Sequence, residues 1–138
     1  MQWATPDNGG AEISAYTIYF RNSDELTYSE EPVNCDGSNS AIIAALECNI
    51  PAAILNAAPF NLPWGTDVHV KVSATNFRGE SVHSSLGSGA IIIAVPDSPI
   101  NLTEDDNLRT STTLGLTWSD GLDDGSLAVL DYKITVNS

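Results

Sequence analysis

The sequence predicts an all-β chain of antiparallel hairpins, and three observations carry that reading. Residues 65–81, GTDVHVKVSATNFRGES, place Val68, Val70, Val72 and Ala74 on alternate positions, with His69, Lys71, Ser73 and Thr75 between them. This is the period-two pattern of a strand with one face on a core and the other in water. The strand closes on Asn76-Phe77-Arg78-Gly79, where Asn and Gly take the positive φ of a tight turn, and a second strand returns from Glu80. The third observation is an internal repeat. Trp3 recurs as Trp118, 115 residues later, and Tyr16 recurs as Tyr132, 116 residues later. Ile13, Ile18 and Phe20 match Val129, Ile134 and Val136 on the same offset, so one residue of loop separates the two copies.

These segments resemble a known family. The run V-x-V-x-V-x-A-x-N-x-x-G-x-S from Val68 to Ser81 resembles the F strand and F–G turn of a fibronectin type III domain, an immunoglobulin-like sandwich of seven strands. Pro99-Ile-Asn-Leu102 looks like an A strand of that family, Leu114-Gly-Leu-Thr-Trp118 like a B strand with its buried Trp, and Tyr132-Lys-Ile-Thr-Val136 like a C strand. The resemblance covers nearly the whole chain, and it is the order and spacing of the motifs that make it specific. One departure is Val68, which stands where the family usually has a Tyr whose hydroxyl ties the E–F corner to the backbone.

The resemblance divides the chain into one nearly complete sandwich and the start of another. Residues 1–95 hold strands B to G with A missing, residues 96–99 form a connector, and residues 100–138 hold the A, B and C strands of the following repeat or of a complementing segment. On this reading the chain begins inside a B strand, and the protein is expected to extend in both directions. Met1 is followed directly by Gln2-Trp3, with no basic or apolar leader.

Each element follows from local sequence. Residues 1–10 end a strand and enter a Gly- and Asn-rich loop. Ile13, Tyr16, Ile18 and Phe20 lead into strand C, and residues 26–28 give a C′ strand. Residues 41–46 fit a helical turn or a strand equally well by periodicity. Strand E is expected within residues 48–55, with Pro51 at a strand end, and residues 59–65 form the corner into strand F. Strand G follows in residues 89–95, bent near Gly87 and Gly89. Pro96 and Pro99 then fix φ around a short, stiff connector.

Composition narrows the function classes. A chain of 138 residues buries one good core but is too short for two complete domains of about 100 residues each. Apolar content of 42% fits a globular chain. Five basic residues against 18 acidic ones give a net charge of −13, which repels nucleic acid and anionic membranes. No apolar run approaches a membrane span; the longest covers residues 90–95. Cys35 and Cys48 flank a turn-rich loop and fit no CxxC motif, which points to a disulfide and an oxidising, extracellular or cell-surface setting.

Sites for chemistry are few. His69 and His83 lack a Ser–Asp arrangement at motif spacing and read as surface residues, so no enzyme is expected. The carboxylates of Asp97, Glu104, Asp105, Asp106, Asp120, Asp123 and Asp124 crowd the connector and the second B–C loop. They are a weak candidate for calcium and otherwise solvated loop charge; no other cofactor is implied. Asn101-Leu102-Thr103 is a glycosylation sequon, facing outward if Ile100 and Leu102 face in. Trp3 and Trp118, with Val68, Val70, Val72 and Ala74, are assigned to the core, and Trp64 to a corner plug or an inter-domain contact.

The expected function is mechanical: a repeat unit of an extracellular or cell-surface filament, stalk or fibre. Its partners are copies of itself or neighbouring repeats joined head to tail, covalently or by strand complementation. The alternatives are an adhesion or ligand-binding module working through its B–C and F–G loops, and an accessory domain of a secreted carbohydrate-active enzyme.

Overall fold

The computed structural model describes residues Met1 to Val136, and it is all-β with two short helices. The chain divides into two compact units, Met1–Ile92 and a second from Ile93 on.

The first unit is organised by β1 (Ile13–Arg21) and β3 (Asp67–Asn76), which pair antiparallel over most of their length. Tyr16 stands opposite Ala74, Ile18 opposite Val72 and Phe20 opposite Val70, so both apolar alternations fall on one face. β2 (Tyr28–Ser29) pairs with the far edge of β1. The other edge of β3 takes β4 (Gly79–Glu80) beyond the predicted turn and β5 (Gly87–Ile91) further along. Between β4 and β5, serines stitch the same edge. The Ser81 and Ser84 N–H groups donate to the Ala74 and Val72 carbonyls, while their hydroxyls accept from the Ala74 and Val72 N–H groups. The predicted final strand is therefore one interrupted edge strand, with its register shift beside Gly87 and Gly89.

The core under this sheet is built on Phe20 and Phe60, both fully buried and packed edge to face with ring centroids 5.8 Å apart. Tyr16, Ile18, Leu55, Leu62, Val68, Val70 and Ile92 complete it, with the Cys35–Cys48 disulfide. The opposing layer is largely not sheet. It consists of α1 (Ser40–Ala45), α2 (Ala52–Asn56) and a single antiparallel bridge between Gln2 and Glu47. Ile42, Ile43, Leu46, Ile50, Ala52, Trp3 and Trp64 pack from that layer and its flanks onto the core.

Several expectations need correction. The strand expected within residues 48–55 is helical from Ala52. Ala52-Ala53-Ile54-Leu55 combines strong helix formers with a single buried side chain, and Pro51 precedes the first turn, where a missing N–H costs nothing. Residues 41–46, open between two readings, are α1. The Asn39 side chain accepts from the Ala41 N–H at 2.9 Å, and Leu46 ends the helix in the left-handed region at φ 55°. The strand expected at residues 26–28 is displaced to Tyr28–Ser29, because Asp24 caps a turn by accepting from the Leu26 and Thr27 N–H groups.

On β3, Val68 and Val70 are buried but Val72 and Ala74 only half-buried. Ser73, expected to face water, is 1% exposed and donates to the Glu80 carboxylate. The alternation fades there because the layer over Val72 and Ala74 is incomplete, while the Glu80 side chain reaches back to Ser73 on the other face.

The second unit carries β6 (Ile100–Glu104) and β7 (Leu116–Ser119), an antiparallel pair at the two places predicted for strands. Its start lies earlier than expected. The Ala94 N–H donates to the Gly125 carbonyl and the Asp97 N–H to the Asp123 carbonyl, so residues 93–97 dock on this unit instead of finishing the preceding strand. Ile100 and Leu102, whose inward facing was the condition for Asn101 to face outward, are 41% and 66% exposed. Residues 132–136, expected as a strand, are not one. Their counterpart β1 is held by β3, and among the described residues the second unit contains no ladder partner for them. Asn137 and Ser138 lie outside the described residues.

Candidate functional site

The most informative local geometry occurs twice. Trp3 packs on Tyr16 with ring centroids 5.4 Å apart and an interplanar angle of 63°. Trp118 packs on Tyr132 at 5.4 Å and 61°. The loops that lead from each Trp to its Tyr also match. Asp7 Oδ1 accepts from the Gly9 N–H at 2.8 Å, and Asp123 Oδ1 accepts from the Gly125 N–H at 2.8 Å. Asn8 Oδ1 accepts from the Gly10 N–H, as Asp124 Oδ1 does from the Ser126 N–H. Gly9, Gly10, Gly125 and Ser126 all take positive φ, at 63°, 80°, 72° and 68°.

The offset is 116 throughout these loops and 115 at the tryptophans, which places the extra residue between Trp118 and Asp123. The two loops differ in charge, since Asn8 stands where the second copy has Asp124. As turn formers the two side chains are interchangeable, because each uses one oxygen on the N–H two residues on. The signal was in spacing, not charge.

The two copies differ in cover. Tyr16, Ile18 and Phe20 are 5%, 3% and 0% exposed, against 39%, 54% and 80% for Tyr132, Ile134 and Val136. In the first unit β3 lies along these residues. In the second, Tyr132 and Ile134 line an open hollow of about 230 Å³ with Pro99, Leu102 and Trp118. Trp3 is partly buried against the core, and Trp118 is half-buried. Trp64 also packs on the core, as a corner plug would.

The titratable residues are dispersed. The outward-facing His69 ring lies 3.1 Å from the Asp67 carbonyl through Nδ1, and the exposed His83 packs edge-on to Tyr19 at 4.9 Å. Arg109 pairs with Glu104 and with Asp106, each at 3.2 Å. Asp105 accepts from the Asn107 N–H, and Asp120 accepts from the Tyr132 hydroxyl, which holds that phenol above its ordinary pKa. Asp97, by its backbone, and Asp123 meet at one hydrogen bond. Among the described residues, no three acidic, histidine or cysteine side chains are placed to share a metal ion. Burial raises the pKa of Tyr16. Hydrogen bonds hold two exposed carboxylates below their ordinary range: Asp24, from the Thr27 hydroxyl first, and Asp36, from the Ser38 hydroxyl first.

Asn101 of the sequon is exposed and sits in the left-handed region at φ 56°. Ile100 pairs with Ser119 and Thr103 with Thr117, so Asn101 and Leu102 together face Trp118 across a bulge. Asn tolerates that conformation better than most side chains. Cys35 and Cys48 are bonded, as expected, and both are buried. Among the described residues no helix is long and apolar enough to cross a membrane. No protein-family model matches the chain, and no curated protein matches it.

Proposed function

We propose that this chain is a segment of an extracellular or cell-surface filament or stalk, built head to tail from fibronectin type III-like β-sandwiches. The observation that carries the reading is the recurrence of the Trp–Tyr contact and its Asx-turn loop at 115 and 116 residues, in two units of one chain. A period of that length is one sandwich of the resembled family plus a connector.

Other features agree with a mechanical role. The carboxylates are spread over loops, the histidines are engaged at the surface, and the sheet of the first unit has the strand order β2-β1-β3 with β4 and β5 on the far edge. That order corresponds to C′, C, F and G in the resembled family. The disulfide supports an oxidising compartment. A glycan on Asn101, next to Pro96 and Pro99, would shield a junction between beads. The turn at residues 76–79 is a tight hairpin and offers little surface for a ligand, which disfavours a loop-based adhesion module.

Negative-stain electron microscopy of the protein from its native source tests the proposal. Thin rods with a regular bead spacing are expected. Isolated compact particles at all concentrations would overturn it.

A further inference from the structure

The loop between Trp3 and Tyr16 holds the one Asn-Gly step of the chain, Asn8-Gly9. At such a step an asparagine side chain closes on the backbone most readily, because the glycine has no Cβ to crowd the attacking nitrogen. In this protein two further groups are placed on the atoms that react. Asp7 Oδ1 accepts from the Gly9 N–H at 2.8 Å, so a carboxylate sits on the proton that the nitrogen must lose. The Gly10 N–H donates to Asn8 Oδ1 at 2.8 Å, on the oxygen where negative charge develops when the side-chain carbonyl is attacked. The same bond turns the Asn8 side chain toward the backbone ahead of it.

Access to these atoms is open. Residues 7–10 are all exposed, and a Cβ built on Gly9, at φ 63°, meets nothing within 4 Å. Asn8 and Gly9 line an open hollow of about 270 Å³, so water reaches the ring that forms. The Asn8 backbone carbonyl is meanwhile fixed by the Ala11 N–H at 3.1 Å and by Asn76 Nδ2 at 3.0 Å, which hold the loop while the side chain reacts.

We propose that Asn8 deamidates spontaneously in the folded chain, with the Asp7 carboxylate as proton acceptor and the Gly10 N–H as oxyanion donor. The Gly9 nitrogen bonds to Asn8 Cγ and gives its proton to Asp7. The Cγ–Nδ2 bond then breaks, and the departing nitrogen takes that proton and leaves as ammonia. Water opens the resulting cyclic imide, its hydroxyl going to a ring carbonyl and its remaining proton to the Gly9 nitrogen. No oxidant and no second protein enters. Opening at Cγ leaves aspartate, and opening at the backbone carbonyl leaves isoaspartate. The aspartate product has a place in this fold, because the matching turn of the second unit carries it. There Asp124 Oδ1 accepts from the Ser126 N–H at 2.9 Å, next to Asp123 with its bond to the Gly125 N–H. The reaction converts the Asp-Asn of the first loop into the Asp-Asp of the second and adds one negative charge to the chain.

The test ages the full chain near neutral pH and follows Asn8 by peptide mapping with mass spectrometry, counting aspartate and isoaspartate together. Conversion is expected at least as fast as in an unstructured peptide of residues 5–12, and well ahead of the exposed Asn49, which precedes Ile50. Asp7→Asn keeps an oxygen for the Gly9 N–H and removes the base. It is expected to slow the folded chain about tenfold, and to change the peptide, which holds no turn, by less than about twofold. Circular dichroism of the aged samples checks that both chains remain folded. Slower conversion in the folded wild-type chain than in the peptide would overturn the proposal, because the turn then protects Asn8. Equal rates in the folded wild-type and Asp7→Asn chains would overturn Asp7 as the proton acceptor.

Discussion

At the scale of single residues, backbone contact decides more than side-chain chemistry. The Gly37 carbonyl accepts from the Tyr16 N–H at 2.9 Å, and a Cβ on Gly37 would fall 1.8 Å from the Tyr16 carbonyl oxygen. Gly37→Ala must therefore push a loop off β1, and a loss of roughly 2–4 kcal/mol in urea unfolding is expected. Gly9→Ala meets open space at φ 63° and should cost only about 1 kcal/mol. Phe20→Ala removes a fully buried ring from the centre of the core and should cost about 3–5 kcal/mol.

The acid limb of stability also belongs to residues. Asp24 and Asp36 have folded pKa values below the ordinary range, so their stabilising effect is present above about pH 4 and is lost as pH falls through the folded values. Melting temperature by circular dichroism should hold between about pH 5 and 7 and drop below about pH 4. Asp24→Asn with Asp36→Asn should flatten that drop.

At the scale of elements, the long alternating strands were legible and the segments packed around them were not. β3 announced itself by strict alternation, and the β6 and β7 positions were expected from the resemblance of residues 99–102 and 114–118 to A and B strands. Residues 132–136 carry the same alternation, yet form no strand, because periodicity reports which face wants burial and not whether a neighbour supplies a ladder. Residues 52–56 went the other way: Pro51 reads equally as a strand end or a helix start, and local propensity settled the matter toward helix. The pairing of Cys35 with Cys48 ties the loop before α1 to the segment after it, beneath β1. Replacing both cysteines by alanine should lower stability by about 2–4 kcal/mol, read from chemical unfolding.

At the scale of the whole molecule, two units of one chain use one local design. The matching Trp–Tyr contacts were foreseeable from residue spacing, and the matching turns were hidden by the Asn8 to Asp124 exchange. What differs between the copies is burial, since Tyr16 and Ile18 lie in the core of the first unit while Tyr132 and Ile134 stand open. A fibre of such units would close each open face with the next stretch of chain or with another copy.

Trp3 and Trp118 occupy the same slot in the two units, each packed on its Tyr. Ring-to-ring nuclear Overhauser effects in the 138-residue chain measure this most directly. Cross-peaks of similar strength from Trp3 to Tyr16 and from Trp118 to Tyr132 are the predicted result. Cross-peaks for the first pair alone, with the Trp118 ring showing none to Tyr132, would contradict it.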